Sequence, residues 1–315
     1  MHCPACQSKK HTCLFTAYDI LYRMVDTEFT ILKCDHCGAL FLSPFPTQQE
    51  TEKFYPKSYY AYDTNEAEGF FEGLKKKIIT SAMDGQEHLR FMDKVLVLLF
   101  KNKFSGIPLY RKENGRFLDI GCGSGKNLAL LRTFGWDAYG IELDERAVHH
   151  AKSKGLQVEK SSLEGAQFGD MQFDSIRIWH VFEHLTDPGA ALKKMKGLLA
   201  ETGEIMMALP NTESWARWLF GRYWYGLDVP RHTISYSPKT LRMLLRSHGL
   251  MVTEIKYVSL GSFVGSISNF FRHTCGYQGN LINNLFLVLL FSPIDFLSDL
   301  MKRGDTIFLK IHKNG

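Results

Sequence analysis

Nine residues, Phe117-Leu-Asp-Ile-Gly-Cys-Gly-Ser-Gly125, constrain this chain more than any other segment. An apolar run enters a turn with glycine at every second position. Lys126 to Phe134 follows, with Leu128, Leu130, Leu131 and Phe134 as its apolar positions. The pattern reads as a buried strand, a tight turn and a helix. Glycines carry no Cβ and let the backbone approach a ligand closely. The helix start offers unpaired N–H groups to a carboxylate or phosphate.

The spacing separates two classes of cofactor. A dinucleotide fold uses G-x-G-x-x-G, with the pyrophosphate on the helix dipole. Here the turn is Gly121-x-Gly123-x-Gly125, with Asp119 two residues ahead. A carboxylate there repels a pyrophosphate and suits a ligand bearing an ammonium and a sulfonium, as S-adenosylmethionine does. A second strand, Ala138-Tyr-Gly-Ile-Glu142, ends in a carboxylate about 20 residues past the turn, where such folds hold ribose hydroxyls. Asp144 reads as the N-cap of a helix from Glu145 to Lys154, closed by Gly155.

A third segment completes the pattern: Phe173-Asp-Ser-Ile-Arg-Ile-Trp-His-Val-Phe-Glu-His-Leu-Thr-Asp-Pro188. With Leu118–Gly125 and Gly140-Ile-Glu-Leu-Asp144 it makes residues 110 to 260 resemble the class I S-adenosylmethionine-dependent methyltransferases. The three motifs occur in order, at βαβ spacings. The resemblance implies an α/β fold: a seven-stranded, mostly parallel Rossmann-like sheet with helices on both faces. Strands are expected near 116–120, 137–142, 156–160, 173–179 and 203–209. A helix from Pro238 to His248 follows, then strands Met251–Leu260 and Thr306–His312, antiparallel at the sheet edge. Cofactor contacts are expected from Asp119, Gly121, Cys122, Gly123, Gly125, Glu142, Leu143, Ser162, Leu163, Trp179 and His180. Many relatives carry an acidic residue after the third strand, where this chain has Ser162 and Leu163 and then Glu164.

A length of 315 residues suggests about two domains. Four of the seven cysteines form C-x2-C pairs, Cys3/Cys6 and Cys34/Cys37. Four thiolates at this spacing make a closed tetrahedral Zn2+ site. Gly38 permits the turn after the second pair. Cys13, His2, His11 and His36 are spare donors, and a redox dithiol is disfavoured because no thioredoxin-like βαβ pattern surrounds the pairs. Short strands are expected over Leu14–Tyr22 and Glu28–Lys33, giving a small zinc ribbon whose metal is structural. The module is similar to that of some bacterial methyltransferases, including sugar C-methyltransferases. Those larger relatives carry a further carboxy-terminal domain, for which this chain is expected to be too short. The expected organisation is a ribbon over 1–60 and a linker with a helical cover over 61–110. A methyltransferase domain over 111–315 follows, with insertions at 211–237 and 261–303. An amphipathic helix is expected over Leu74–Phe104.

Methyl transfer needs alignment and, for a hydroxyl or carbon acid, removal of a proton. His180, His184 and His232 are the candidate bases. His180, Glu183 and His184 also spell H-x-x-E-H, an inverted zinc-protease pattern. Here that segment continues a buried strand instead of opening a free-standing helix. Glu183 and His184 can equally orient each other and hold the helix start. In the aromatic insertion, Tyr225, Arg231 and His232 are candidate acceptor contacts, with Arg231 suited to a phosphate or carboxylate; Arg231 and His232 pinning the loop is the alternative.

Net charge of +5 lacks the dense basic stripe of a dedicated nucleic-acid binder. No signal peptide is expected from the start Met-His-Cys-Pro, and the cysteine usage leads to the expectation of a reducing cytoplasm. The apolar run Leu285-Phe-Leu-Val-Leu-Leu-Phe291 is short of the roughly 20 residues that cross a bilayer. Residues 281–300 are therefore expected to cap the fold, contact a second copy, or lie on the inner membrane face. A cytoplasmic small-molecule methyltransferase is the leading expectation, acting on a sugar nucleotide, polysaccharide precursor, or lipid-linked or quinone-like intermediate. An RNA methyltransferase gripping RNA through the ribbon, and a noncatalytic S-adenosylmethionine-binding scaffold, are the alternatives.

Overall fold

The computed structural model describes residues 1–56, 79–80, 106–108, 110, 112, 114–259 and 261–314. The expected linker over 61–70 and helix over 74–104 lie outside them, apart from residues 79 and 80.

The amino-terminal ribbon contains β1 (His11–Ala17), β2 (Phe29–Cys34) and β3 (Leu40–Ser43), followed by the short α1 (Gln48–Glu52). β1 starts and ends earlier than expected. Asp19 breaks it, because its carboxylate accepts from the N–H groups of Tyr22 (3.0 Å) and Met24 (2.9 Å) and folds the chain into a turn. Thr47 caps α1 in a reciprocal capping box with Glu50.

The main sheet is built from β4 (Arg116–Ile120), β5 (Asp137–Glu142), β6 (Gln157–Lys160), β7 (Phe173–Trp179) and β8 (Leu199–Pro210). After the two-residue β9 (Ile234–Ser235), β10 (Leu250–Val258) and β11 (Thr306–Lys313) complete it. The order is β6-β5-β4-β7-β8-β11-β10. β4 through β8 pair in parallel, and β11 runs antiparallel to both β8 and β10. This is the seven-stranded, mostly parallel α/β sheet expected from the sequence. Strand order reverses between β4 and β7, the switch point where open α/β sheets bind ligands.

Helices cover both faces. Leu118, Ile176, Ile178 and Met207 face Leu192, Met195, Leu241 and Leu245, from α4 (Pro188–Leu198) and α6 (Pro238–Ser247). Phe117, Met206 and Phe308 face Leu128, Leu131, Val148 and Ala151, from α2 (Lys126–Arg132) and α3 (Glu145–Ser153). Each of these leucine, isoleucine, valine, methionine and phenylalanine side chains contributes about 1.5–3 kcal/mol on burial. The caps are as read: Asp144 Oδ1 accepts from Ala147 N–H at 2.9 Å, and Pro188 occupies the first turn of α4. α2 ends before Phe134, where the chain turns through Gly135 at φ +83°.

The ribbon is fused to this domain. β9, from the 211–237 insertion, pairs antiparallel with β3, Leu40 opposite Ser235 and Phe41 opposite Ile234, and so becomes the ribbon's fourth strand. Thr240 of α6 donates its hydroxyl to the Cys37 carbonyl at 2.7 Å. The other ribbon face buries Ile31 and Leu42 against Trp224, Leu227 and Phe263. The same insertion carries α5 (Trp215–Phe220). Residues 261–303 form a helical hairpin, α7 (Ser262–Cys275) and α8 (Leu285–Leu300), in which Phe263 stacks on Phe291 at 6.2 Å. Among the described residues, no helix is long and apolar enough to cross a membrane.

Candidate functional site

The carboxyl edge of the sheet opens into a cleft of about 950 Å³. Gly121, Glu142, Leu143, Ser162, Leu163, Trp179 and His180 line it, together with Gln48, Thr51 and Tyr55 from the ribbon side and with His184. Of the glycine turn, Gly121 lines the floor, and Gly123 and Gly125 lie behind it and set its backbone. Gly121, Gly123 and Gly125 have φ of +72°, +54° and +77°, a region that costs other residues roughly 1–2 kcal/mol. A Cβ on Gly121 would lie 2.5 Å from Val181 Cγ2, and one on Gly125 would lie 2.6 Å from Leu156 Cδ1. Glu142 fixes the turn: its carboxylate accepts from the N–H groups of Gly123 (2.8 Å), Leu143 (2.7 Å) and Asp144 (3.0 Å).

Two of the expected cofactor residues stand below the cleft. Asp119 is fully buried and pairs with Arg177 Nη1 at 2.8 Å. Its charge is therefore met within the sheet, not presented bare to a ligand's ammonium. The Cys122 side chain is also buried. Burial pushes its thiol well above the usual range, and a Cβ on Gly140 would lie 2.6 Å from its Sγ. Ser162 Oγ accepts from Gly165 N–H at 3.2 Å and holds the turn after β6.

Gly121→Ala is expected to weaken S-adenosylhomocysteine binding at least tenfold, because φ +72° and the Val181 contact together displace the turn. Adding Val181→Ala should recover part of the loss. Calorimetric titration of both variants checks this, and an unchanged affinity in the single variant would contradict the placement.

His180 directly follows β7 with φ +52°, strained for a residue with a Cβ. Its N–H donates to the Ala208 carbonyl at 2.8 Å. Its Nδ1 lies 3.1 Å from Glu183 Oε1. A carboxylate only accepts, so Nδ1 carries the proton and Nε2 is left basic. Glu183 is 1% exposed. Burial works against its charge, but the His180 hydrogen bond and the nearby histidines hold its carboxyl below the usual range.

His180 also lines a second cavity of about 140 Å³, with Tyr225, Gly226, Asp228, His232, Asp305 and Thr306. His232 Nδ1 bonds the Gly226 carbonyl at 2.9 Å. His184 lies between Tyr55, whose hydroxyl is 2.9 Å from Nδ1, and His232, at a ring separation of 4.6 Å. Burial, then repulsion from His232, lowers the His184 imidazole to about 4. That direction makes His184 a weaker candidate base than His180, and its bonds to Tyr55 and the Arg231 carbonyl suit the alternative structural role.

Of the two readings of Arg231, the structure shows the loop pin and not a group that faces an acceptor's anion. Arg231 is 1% exposed. Nη1 and Nη2 reach Asp19 at 3.1 and 2.8 Å, Nε and Nη2 reach Asp228 at 3.0 and 2.7 Å, and Nη1 also donates to the Phe54 carbonyl at 3.1 Å. Its guanidinium lies 4.6 Å over the Tyr22 ring. Burial opposes the charge, yet the two carboxylates raise the Arg231 pKa. Of the insertion's aromatic residues, Tyr225 lines the small cavity, Trp224 is buried against the ribbon, and Trp218 is 83% exposed on another surface.

The sequence reading missed Asp305. β11 is antiparallel, so its first residues return to the carboxyl edge of the parallel strands. Burial, then repulsion from Asp295 and Asp299, raises Asp305 to about 8. The unfolded carboxyl titrates near 3.9, so between these values only the folded chain keeps the proton, and stability falls as pH rises. Asp305→Asn should raise the melting temperature at pH 8.5 by roughly 5 °C and change it little at pH 4. A gain independent of pH would contradict this.

In the ribbon, Cys3 and Cys37 sulfurs lie 3.6 Å apart and those of Cys6 and Cys34 3.5 Å. All four lie within 4.8 Å of one another. Tetrahedral Zn–S bonds of 2.3 Å give S···S edges of about 3.8 Å, so the set fits Zn2+. Both knuckles follow one plan: Gln7 (φ +61°) and Gly38 (φ +81°) turn left-handed and donate to the carbonyls of Cys3 and Cys34. Cys13, His2, His11 and His36 stand outside the cluster.

Residues 85–255 match the family model described as a methyltransferase domain. The chain belongs to this methyltransferase family. Among curated proteins it is similar to ubiquinone biosynthesis O-methyltransferases. The Paraburkholderia phymatum protein is 26% identical over 157 residues, covering 46% of this chain and 68% of the relative. The Cereibacter sphaeroides protein is 29% identical over 147 residues, covering 43% and 60%. Among solved structures, the plantazolicin methyltransferase BamL aligns with a TM-score of 0.47 and 19% identity over 84% of this chain and 95% of that one.

Proposed function

We propose that the chain transfers a methyl group from S-adenosylmethionine to an oxygen of a small-molecule acceptor. The observation that carries this reading is the meeting of two cavities at His180. The larger is floored by the glycine turn and Glu142, and the smaller is lined by Tyr225, His232 and Asp305.

S-adenosylmethionine, when bound, supplies a methyl group on a sulfonium that departs as a neutral thioether. Gly121, Leu143, Ser162, Leu163 and Trp179 shape its cleft, and Glu142 keeps the glycine turn in register. His180 takes the acceptor's proton on Nε2, and buried Glu183 stabilises the resulting imidazolium through Nδ1. Tyr225 and His232 position the acceptor. The four cysteines hold a structural Zn2+, which fixes the wall that contributes Gln48, Thr51 and Tyr55.

Acceptors in keeping with the site are quinone-like or lipid-linked intermediates, sugar nucleotides and polysaccharide precursors. The apolar ones are favoured by α8, where Phe286, Phe296 and Leu300 are 71%, 70% and 68% exposed and Lys302 and Arg303 follow. That surface suits peripheral contact with the cytoplasmic membrane face. The test is incubation with labelled S-adenosylmethionine and candidate acceptors. Label should enter a soluble or lipid-extracted small molecule, and His180→Ala should lower kcat by about 10²–10⁴, far more than it weakens S-adenosylhomocysteine binding in the cleft that His180 also lines. Transfer to RNA alone, or full turnover by His180→Ala, would overturn the assignment.

A further inference from the structure

Among the described residues, one group of ligand-capable side chains stands together besides the four cysteines. One donor atom each from Glu183, His184 and His232 lies within 4.8 Å of the others. The hydrogen bonds around them leave an unbalanced set of lone pairs. His184 Nδ1 is 3.0 Å from the Arg231 carbonyl, and His232 Nδ1 is 2.9 Å from the Gly226 carbonyl. Carbonyls only accept, so both Nδ1 atoms carry hydrogen, that of His184 shared with the Tyr55 hydroxyl 2.9 Å away as a second acceptor, and each neutral ring keeps a bare lone pair on Nε2.

His232 Nε2 faces Glu183 Oε1 at 3.9 Å, acceptor toward acceptor. Glu183 Oε2 is buried and has no hydrogen-bond partner among the described residues. Asp228 Oδ2, 4.0 Å from His232 Nε2, adds more negative charge. The adjacent cation, Arg231, directs its guanidinium to Asp19 and Asp228. A buried anion in such a setting calls for a cation.

We propose that Glu183, His184 and His232 bind a divalent transition-metal ion of the Zn2+ or Co2+ type, at a second site distinct from the ribbon. Two imidazoles and one carboxylate suit these ions better than Mg2+ or Ca2+. Each imidazole is already anchored through its second nitrogen to a backbone carbonyl, as metal-bound histidines are. Bonds of 2.0–2.1 Å in a tetrahedral site separate donors by about 3.4 Å. The 3.9 Å pair therefore closes by about half an ångström, and a pair at the 4.8 Å limit by about 1.4 Å, through side-chain rotation. Three protein ligands leave an open position. On the methyltransferase reading, which this clause alone rests on, a hydroxyl or carboxylate oxygen of the acceptor fills it, and the ion makes a bound hydroxyl more acidic. His180 hydrogen-bonds Glu183 and is not a ligand, so the resulting set differs from H-x-x-E-H.

The test uses the full chain with its ribbon saturated with Zn2+ and excess metal removed. Titration with Co2+ is followed by calorimetry and visible absorption. One further ion is expected, with d–d bands and no thiolate-to-cobalt band. Glu183→Gln and His232→Gln should weaken its uptake by about 100-fold or more while retaining the ribbon's ion. In the wild type, the largest paramagnetic shifts and line broadening falling on the His184 and His232 imidazole protons identify the ligands even if the variants fold poorly. No second ion in the wild type, cobalt–thiolate bands, or uptake unaffected in folded variants would overturn the site. S-adenosylhomocysteine binding is read on the same samples. Its absence with cobalt uptake intact counts against the methyltransferase reading alone, and its presence without cobalt uptake counts against the metal site alone.

Discussion

Asp19→Ala is expected to lower stability by about 3–5 kcal/mol, because it leaves the buried Arg231 guanidinium short of one of its two carboxylates. This corresponds to a fall in melting temperature of roughly 10 °C. The effect should be non-additive. Once Arg231 is replaced by methionine, which leaves Asp228 without its cation, adding Asp19→Leu should cost little more, because Asp19 then has no charge left to meet. A double-mutant cycle by thermal and denaturant unfolding checks it. Additive single effects, or a neutral Asp19→Ala, would show that this network does not tie the ribbon to the 211–237 insertion.

The second large effect concerns the four cysteines. Removing their metal with a strong chelator, or replacing Cys34 by serine, should loosen residues 1–56 and lower the melting temperature by more than about 10 °C. Zn2+ binding in small cysteine sites is worth about 10–16 kcal/mol, and part of it is offset here by packing against the catalytic domain. Because Gln48, Thr51 and Tyr55 line the large cleft, S-adenosylhomocysteine affinity should fall too. Proteolysis with and without chelator, together with metal analysis, reads the outcome. A metal-free wild type with unchanged melting and protease resistance would contradict a structural ion.

Local chemistry wrote much of this fold plainly into the sequence. The glycine turn, the Asp144 cap, Pro188 at N1 and the strand ends at Glu142 and Trp179 depend on neighbours within a few residues. They emerged close to where they were expected. Contacts between distant segments were not legible. Arg231 looks like an anion binder in isolation, and only folding brings Asp19 from 212 positions away. β9 is two residues long and becomes a strand only because β3 offers an edge. Asp119 reads as a free carboxylate until Arg177 arrives from β7. Asp305 was invisible as a site residue because its position depends on the reversed direction of β11. The separation of His184 from His180 as bases likewise depends on burial, which spacing does not record.

Direct titration of purified protein with S-adenosylhomocysteine puts the central claim, a glycine-floored cleft for this donor, to its plainest test. One molecule should bind per chain, Gly121→Ala should weaken it at least tenfold, and NAD should not compete. A folded, metal-replete protein that takes up none of the thioether, or that binds NAD in the same cleft, would contradict it.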